Sequence, residues 1–317
     1  MDILITGGAG FIGSHLADRL VELGHHVRIL DNLSTGRIDN LSGSARAAEF
    51  LPGDIRDRAL VRRAAEGISV IVHLAAVASV QRSMEDPLGT HATNLGGTLH
   101  CLEAAREAQV PRFLYASSAA IYGDCAAPPV DESASPAPLS PYAIDKLAGE
   151  HYLAHYHRQY GLNTTAFRFF NVYGPRQDAN SPYSGVISRF VACARTGLPP
   201  TVYGDGRQTR DFVYVQDLVD VLVTSIDQED LAGQALNVGT GVESDLLTLW
   251  TTVRTTLDAP AMPRFASARS GDIRRSCARI ERLRQGLGFV PRTPLAEGLR
   301  ALAAIDSGPP RGALVAN

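Results

Sequence analysis

Short apolar runs alternate with segments of helical apolar spacing along the first half of the chain. Residues 3–6 form an apolar run that stops at a cluster of glycines. Residues 14–23 then place three leucines at helical spacing, which predicts an amphipathic helix. The next apolar run, at residues 27–30, completes a βαβ unit of about 30 residues.

The same alternation continues to about residue 170. Further strands are predicted at residues 69–74, 112–116 and 164–169, and further helices at 95–109 and 142–159. Strands that alternate with helices form a parallel sheet covered by helices on both faces. The pattern therefore predicts an α/β protein with a Rossmann-type doubly wound parallel sheet.

The remaining segments predict a second, smaller part of the molecule. Five prolines make residues 126–141 a loop between a strand and a helix. A chain of 317 residues exceeds the length of about 250–300 residues at which one core stops growing. We expect residues 1–170 to form a dinucleotide-binding domain, residues 211–238 to return to it, and residues 171–317 to form mainly a smaller α/β substrate-binding lobe.

The charge balance argues against nucleic acid and membranes as partners. The formal net charge is −3, so no basic surface favours nucleic acid or an anionic membrane. No apolar run approaches the ~20 residues of a membrane span. Asp2 stands where a signal peptide would carry basic residues, and the apolar run after it is too short for one. We therefore expect a cytoplasmic protein.

The cysteines give no sign of a disulfide framework or a metal site. Cys101, Cys125, Cys193 and Cys277 form no C-x-x-C pair, and no histidine cluster lies near them. We expect isolated thiols and no bound metal.

A glycine pattern at residues 7–13 predicts a dinucleotide site. Gly7, Gly10 and Gly13 are spaced G-x-x-G-x-x-G, after the first strand and at the start of the first helix. Glycines there let the backbone approach a pyrophosphate, and the helix N-terminus supplies free N–H groups and a positive dipole end. A tight turn that only opens a helix is the alternative interpretation.

Two aspartates indicate which dinucleotide would bind. Asp31 closes the second strand, where a carboxylate accepts both ribose hydroxyls of NAD and repels the 2′-phosphate of NADP. Asp54 follows the third strand and would meet the adenine amine, although a plain turn aspartate explains it as well. The predicted cofactor is NAD.

A tyrosine and a lysine indicate hydride-transfer chemistry. Tyr142 and Lys146 are four residues apart at the start of a predicted helix and therefore share one face. A phenol with a pKa of about 10 is a poor base at neutral pH, but a lysine cation and a positive nicotinamide ring favour the phenolate. Ser118 ends the preceding strand, within reach of the same reacting oxygen.

The order and spacing of several motifs carry a resemblance to a known family. The matching stretches are Thr6–Gly13, Asp31–Leu33, Asp54–Asp57, His73–Ala76, Asn94–Thr98, Ser117–Gly123, Tyr142–Lys146, Arg168–Pro175, Gly204–Gly206, Arg210–Phe212, Asn237–Gly239 and Arg269–Asp272. With these stretches the chain resembles the extended short-chain dehydrogenases/reductases, and most closely the UDP-hexose 4-epimerases.

The resemblance implies a role for each candidate residue. Tyr142 would be the acid and base on the sugar 4-hydroxyl, Lys146 would tune it and hold the nicotinamide ribose, and Ser118 would bond the 4-oxygen. The implied cofactor-binding residues are Gly7, Gly10, Phe11, Ile12, Gly13, Asp31, Asn32, Ser34, Thr35, Gly36, Asp54, Ile55, Leu74, Ala75, Ala76, Asn94, Tyr142 and Lys146. The implied substrate-binding residues are Ser118, Ala119, Asn171, Val186, Arg189, Thr201, Tyr203, Arg210, Arg269, Asp272 and Ser276.

The implied ligand is a UDP-sugar. Arg210 and Arg269 would hold its diphosphate, which fits the charge-assisted bonds that arginine forms with phosphate. Surface salt bridges explain either arginine when it is considered alone. The resemblance also implies a homodimer, because the helices at 95–109 and 142–159 form a four-helix contact in relatives.

Two alanines bear on the reaction. Dehydratases of the family that the chain resembles carry an Asp-Glu pair after the catalytic Ser or Thr, and its UDP-glucuronate decarboxylases carry a Glu. These acidic residues remove a C5 proton. This chain has Ala119 and Ala120 there, and neither transfers a proton. Epimerisation at C4 is the remaining outcome; a dehydratase, a decarboxylase and a non-catalytic NAD-binding protein are the alternatives.

The sugar stays open among UDP-glucose, UDP-N-acetylglucosamine and UDP-glucuronate. Ser276 is small at a position that limits space beside C2 in the galactose epimerases, and residues 176–180 resemble the UDP-N-acetylglucosamine branch. Ala119 and Ala120 depart from that branch, which often has hydroxyl residues there. Arg189 would suit a C6 carboxylate of UDP-glucuronate, although a solvated helix arginine explains it equally well.

Overall fold

A seven-stranded parallel sheet is the centre of the larger part of the molecule. The computed structural model describes residues 1–124, 128–177, 185–259, 262–268 and 273–305. The strands are β1 (Asp2–Thr6), β2 (His26–Asp31), β3 (Glu49–Pro52), β4 (Val70–His73), β5 (Arg112–Ser118), β6 (Asn163–Phe169), β7 (Asn171–Tyr173), β8 (Thr201–Tyr203), β9 (Thr209–Arg210), β10 (Phe212–Tyr214), β11 (Gln234–Val238), β12 (Ser244–Asp245) and β13 (Arg264–Ala266).

Helices cover both faces of this sheet and form most of the second lobe. The α-helices are α1 (Phe11–Glu22), α2 (Arg58–Ala64), α3 (Val80–Glu85), α4 (Pro87–His91), α5 (Gly97–Glu107), α6 (Pro141–Tyr160), α7 (Val186–Thr196), α8 (Val215–Ser225), α9 (Leu246–Thr256), α10 (Glu281–Leu287) and α11 (Leu295–Ile305). A π-helical stretch and four 3₁₀ turns lie at Ala92–Gly96, Ile38–Leu41, Ser44–Ala47, Ala119–Tyr122 and Glu229–Leu231.

The strand order confirms the predicted doubly wound fold. The order is β11-β6-β5-β4-β1-β2-β3, and all neighbours are parallel. The chain reverses its direction of travel across the sheet between β1 and β4. In sheets of this kind, ligands bind outside the carboxyl ends of the strands at that reversal.

The sheet separates two apolar cores. Ile3 and Ile5 of β1 point into one core with α1 and α8, whereas Leu4 points into the other with α2, α5 and α6. All three side chains are fully buried, and they alternate because successive strand residues point to opposite faces. Both faces of β1 are thus apolar, which explains its unbroken apolar run.

A third core belongs to the smaller lobe. It joins α7, α9 and α11 around Phe190 and Trp250, whose rings meet edge-on with centroids 5.6 Å apart, a favourable aromatic geometry. Three two-stranded pairings, β7 with β10, β8 with β13 and β9 with β12, flank this core. Within the range 211–238, α8 packs on the large sheet and β11 joins it, whereas β10 pairs with β7 beside the third core.

One predicted helix has a different shape. The sequence pattern places a single helix at residues 95–109, but the structure has the π-helical stretch Ala92–Gly96 followed by α5, which ends at Glu107. The wider turn buries Asn94, whose side chain binds the backbone of Val77 through two hydrogen bonds of 2.7 and 3.2 Å. A tertiary contact of this kind leaves no trace in local apolar spacing.

A buried ion pair connects α6 to β6 below the carboxyl edge of the sheet. Arg168 Nη2 donates to Glu150 Oε2 at 2.7 Å, and Arg168 Nε donates to the same carboxylate. Both residues are less than a tenth exposed. Ser117 also donates to Glu150, and Arg168 donates to the hydroxyl of Tyr122 at 2.8 Å. The network thus holds α6 against the carboxyl ends of β5 and β6.

We expect Glu150→Gln to lower the free energy of unfolding by about 3–5 kcal/mol, because it leaves Arg168 buried without a counter-charge. Urea unfolding followed by circular dichroism measures this loss. Glu107→Gln is the matched control, because it breaks an exposed ion pair with Arg58 and should cost less than about 1 kcal/mol. Equal losses in the two variants would show that the buried pair has no special weight.

Candidate active site

A cleft of about 630 Å³ lies along the carboxyl ends of β1, β2, β4, β5 and β6. The predicted residues that line it are Gly7, Gly10, Phe11, Ile12, Gly13, Asp31, Asn32, Ser34, Thr35, Asp54, Ile55, Leu74, Ala75, Ala76, Ser118, Tyr142, Lys146 and Asn171. The structure therefore brings the glycine loop, both aspartates and the Ser, Tyr and Lys side chains into one continuous space.

The glycine loop leaves no room for side chains. A Cβ atom on Gly13 would lie 2.3 Å from the carbonyl oxygen of Gly7, and one on Gly7 would lie 2.8 Å from the backbone nitrogen of Ala75. Gly7 also has a φ of +73°, which favours glycine. The N-cap residue Gly10 gives α1 no side-chain cap. The first turn therefore offers N–H groups and a positive dipole end to an anion.

Asp31 is held in position by the loops around it. Its Oδ2 accepts from the backbone nitrogen of Ala9 at 2.9 Å, and its Oδ1 accepts from that of Leu33 at 2.8 Å. The residue is buried at the end of β2. A carboxylate has about four acceptor sites, so these two bonds leave acceptor sites for a ligand.

Asp54 is held by side chains that the sequence motifs did not single out for it. Arg56 donates to both of its oxygens, at 2.7 and 2.9 Å, and Asn32 Nδ2 donates at 2.7 Å. The bond from Arg56 is the main reason that the pKa of Asp54 lies well below its usual range. The side chain therefore stays a hydrogen-bond acceptor at any physiological pH.

The reactive group of residues is assembled by β5 and α6. Ser118 is the last residue of β5, and Tyr142 lies in the first turn of α6, after the N-cap residue Ser140. Lys146 follows one turn later, with Nζ 5.9 Å from the centre of the Tyr142 ring. Its ammonium donates to the carbonyl of Ala116 at 2.7 Å. The Ser118 hydroxyl neighbours the Tyr142 phenol and favours its ionised form.

Burial controls the protonation of this pair. It raises the pKa of Tyr142, and the neighbouring hydroxyl of Ser118 opposes the rise only in part. Burial also lowers the pKa of Lys146 to about 8, against the raising effect of Asp145 and Glu150. Without a ligand, burial therefore outweighs the groups that would lower the tyrosine pKa. The positive nicotinamide ring predicted beside Lys146 would favour the phenolate.

Two predicted cofactor residues do not line the cleft. Asn94 is almost fully buried and holds the backbone of Val77, which does line it. Gly36 lies behind the glycine loop, where an added Cβ would meet the backbone of Ala9 at 2.9 Å. Both residues are placed to support the wall of the cleft rather than to form it.

Several predicted substrate residues lie away from the described lining. Ala119 begins the 3₁₀ turn after β5 and packs against the first core. Val186 packs into the core of the smaller lobe, and Arg189 lies one turn along α7. Thr201 and Tyr203 form the ends of β8. These positions belong to the second lobe or its border with the sheet.

Only one of the two predicted diphosphate arginines, Arg210, lies among the described residues. Arg210 lies on β9 and donates through Nη1 to the carbonyls of Thr209 and Ile273, at 2.8 and 2.7 Å. Ser276 lies beside it, since its backbone nitrogen donates to the carbonyl of Thr209. Arg269 and Asp272 lie outside the described residues.

The sequence motifs missed part of the lining. The missed residues are Leu30, Gly53, Arg56, Val77, Ala78, Arg82, Asp86, Gly89, Thr90, Thr93, Ala116, Ser117, Phe169, Phe170, Val172, Gln177 and Gly185. Most of them adjoin a predicted residue in the chain, so strand ends alone could have indicated them. Four residues had no such signal, namely Arg82, Asp86, Gly89 and Thr90, which belong to α3, α4 and the residue between them.

Among the described residues there is neither a metal-binding cluster nor a membrane-spanning helix. No group of three or more His, Cys, Asp or Glu side chains is arranged to hold a metal ion there. None of the helices in that part of the chain has the length and apolar character needed to cross a membrane.

Known proteins resemble this chain over nearly its whole length. The model of the NAD dependent epimerase/dehydratase family matches residues 3–239. The chain is 43% identical over 303 residues to a UDP-glucose 4-epimerase of Mycolicibacterium smegmatis, covering 94% of this chain and 96% of the relative. It is 38% identical over 252 residues to a UDP-N-acetyl-alpha-D-glucosaminuronate decarboxylase of Bacillus cytotoxicus, covering 77% and 76%.

A solved structure gives the same result for the fold. The UDP-glucose 4-epimerase of Thermotoga maritima, determined with UDP-glucose, has a TM-score of 0.92 at 36% identity. The match covers 96% of this chain and 98% of that one. The similarity therefore includes the second lobe as well as the sheet.

Lys146 is the only lysine in the sequence, which allows a direct test of its protonation. Protein labelled with carbon-13 at lysine Cε should give a single lysine signal in NMR spectra. We expect this signal to titrate near pH 8 in protein freed of ligands, because burial disfavours the ammonium form.

The charged form of Lys146 should thus be lost as the pH rises through about 8. The Lys146→Met variant is the control, because it should remove the signal altogether. A midpoint near the ordinary lysine pKa of about 10.4 would mean that the ammonium is in contact with water.

Proposed function

The chain belongs to the NAD-dependent epimerase/dehydratase family, and from that premise we propose that it is an NAD-dependent 4-epimerase of a UDP-hexose. The observation that carries the proposal is the group of Ser118, Tyr142 and Lys146 at the end of the cleft, with two alanines where a second acid would stand. The group supplies a single acid and base, Tyr142, which suits a reaction at one carbon atom of the sugar.

NAD is the cofactor of this family, and the residues of the cleft fit it. The glycine cradle admits a pyrophosphate at the start of α1 and would be filled by any Cβ at Gly13. The carboxylate of Asp31 is oriented by two backbone nitrogens and suits the two hydroxyls of an unphosphorylated ribose. We assign the NAD-binding domain to residues 1–170 with 211–238, and the substrate-binding lobe mainly to residues 171–317.

The residues of this chain act on the sugar 4-oxygen. When bound, NAD supplies the acceptor of the C4 hydride and, afterwards, its donor. Tyr142 as phenolate takes the proton of the 4-hydroxyl, while Ser118 hydrogen-bonds the same oxygen and positions it. Lys146 stabilises the phenolate through its positive charge. After the 4-keto sugar has turned over in the cleft, Tyr142 returns the proton to the 4-oxygen. The configuration at C4 is then inverted.

The segment after Ser118 favours epimerisation over the reactions of some relatives. Dehydration or decarboxylation needs a group that removes a C5 proton, and neither Ala119 nor Ala120 carries one. The backbone nitrogen of Ala120 donates to Ser118 Oγ at 3.2 Å, which keeps this turn against the reacting serine. The carboxylates of the described lining, Asp31, Asp54 and Asp86, lie on other loops.

The sugar is proposed as UDP-glucose or UDP-N-acetylglucosamine, with UDP-glucuronate as the second candidate. Ser276, whose backbone nitrogen bonds the carbonyl of Thr209, is small and would leave room for a substituent at C2. Arg189 supports the second candidate, because its backbone nitrogen bonds the carbonyl of Gly185, a residue of the cleft wall. A carboxylate at C6 would suit that position.

We also propose a homodimer formed through α5 and α6. Support comes from Ile144 and Tyr152, which α6 leaves 53% and 40% exposed, on a helix that also packs against α5. A mass of 33.9 kDa in light scattering, rather than twice that value, would overturn the dimer.

The reaction is tested by offering UDP-glucose, UDP-N-acetylglucosamine and UDP-glucuronate separately and reading the C4 configuration by NMR. We expect the C4 epimer of at least one sugar with all other carbons unchanged. Tyr142→Phe should lower turnover by about 10²–10⁴-fold, the contribution of general acid–base catalysis, while the purified protein keeps its NAD.

Tyr160→Phe is the matched control, because Tyr160 is the last residue of the same helix and is 54% exposed; it should turn over like the unaltered protein. A product that is only 4,6-dehydrated or decarboxylated would refute the proposal. Full activity in Tyr142→Phe would remove the tyrosine from the mechanism.

A further inference from the structure

Three cationic side chains line the described part of the cleft, and two of them are already engaged. Arg56 donates to both oxygens of Asp54. Lys146 is buried and donates to the carbonyl of Ala116. The third cation, Arg82, lies in α3 and is exposed. Of the three cations, Arg82 is therefore the one whose side chain is left to interact with a ligand.

The guanidinium of Arg82 has no hydrogen bond or ion pair with any residue that the structure describes; only its backbone is bonded. Its backbone nitrogen donates to Ser79 Oγ at 3.1 Å, and its carbonyl accepts from the backbone nitrogen of Asp86. The nearby carboxylate of Asp86 accepts from the backbone nitrogen of Gly89 at 2.9 Å and caps α4. The cation thus faces the cleft without a counter-charge of its own.

A second unsatisfied group lies in the same wall. Thr90 is 1% exposed, it lines the cleft, and its hydroxyl has no hydrogen-bond partner among the described residues. A buried hydroxyl without a partner is unfavourable. An acceptor atom entering the cleft beside α4 would satisfy it after a rotation of the threonine side chain.

The wall that carries these groups adjoins the glycine loop. The loop after β4 begins so close to Gly7 that an added Cβ there would lie 2.8 Å from the backbone nitrogen of Ala75. Val77 and Ala78 continue along the cleft, and Arg82 follows one turn later in the chain. Arg82 therefore lines the same cleft as the loop predicted to hold a pyrophosphate.

We propose that Arg82 and Thr90 form an oxyanion subsite that binds a diphosphate oxygen. The proposal rests on the proposed function, since NAD and a UDP-sugar each bring a diphosphate into the cleft. Arginine forms its strongest hydrogen bonds with phosphate oxygens, and a diphosphate is the anion common to both ligands. The start of α1 would contact the diphosphate from one side only. The subsite would offset the negative charge that remains on it.

The experiment uses Arg82→Gln, which keeps a polar side chain and removes the charge. NAD retained by the purified protein after desalting reports on the dinucleotide, and calorimetry with UDP, in buffer with excess NAD, reports on the sugar nucleotide. We expect a loss of about ten-fold or more in the affinity for one of the two ligands, the typical effect of a hydrogen bond to a charged group.

The two ligands identify the source of the diphosphate. Weaker retention of NAD with unchanged UDP binding assigns the subsite to the dinucleotide, and the reverse assigns it to the sugar nucleotide. Thr90→Val should weaken the same ligand by a smaller factor, because it removes only the hydroxyl. Arg63→Gln is the matched control, since Arg63 is an exposed arginine of α2 that does not line the cleft.

Unchanged binding of both ligands in Arg82→Gln, relative to Arg63→Gln, would overturn the subsite. This outcome is independent of the reaction, because both measurements report binding rather than turnover. A chain that binds both ligands through Arg82 but epimerises no sugar would instead refute the proposed function alone.

Discussion

The parallel arrangement of β1 and β4 as neighbours governs where everything else in this molecule can lie. The helix that follows β1 packs on one face of the sheet, and α5, which follows β4, packs on the other. The two crossovers therefore separate at the carboxyl ends, and the edge between them stays open. Loops from both strands converge on that opening, so the glycine cradle and the wall after β4 are in contact although their residues are far apart in sequence.

Local spacing was sufficient to predict the parts of the site that sit at strand ends or share one helix turn. The glycine loop, Asp31 and the Tyr142–Lys146 pair each follow from a short pattern whose physical meaning is local. The wall formed by α3 and α4 could not be predicted in this way, because only the tertiary arrangement brings Arg82 and Thr90 to the cleft. Asn94 shows the same limit, since its partner Val77 is 17 residues away.

The electrostatics of the reactive pair depend on what the cleft contains. Burial disfavours charge on both Tyr142 and Lys146, so in isolation each is driven towards its neutral form. The positive nicotinamide ring of a bound cofactor would oppose this preference of the phenol, because opposite charges at short range favour one another in a site shielded from water. The cofactor would then prepare the base as well as accept the hydride, and an empty site would be chemically quiet.

The chain has a single lysine, which lies buried beside the reacting tyrosine. All its other long basic side chains are arginines. Acylating and aldehyde reagents that recognise lysine amines therefore find no lysine on the outer surface. Any lysine acylation of the folded protein would report entry into the cleft itself. Occupancy of the site could in this way be followed by protection of one amine from a small electrophile.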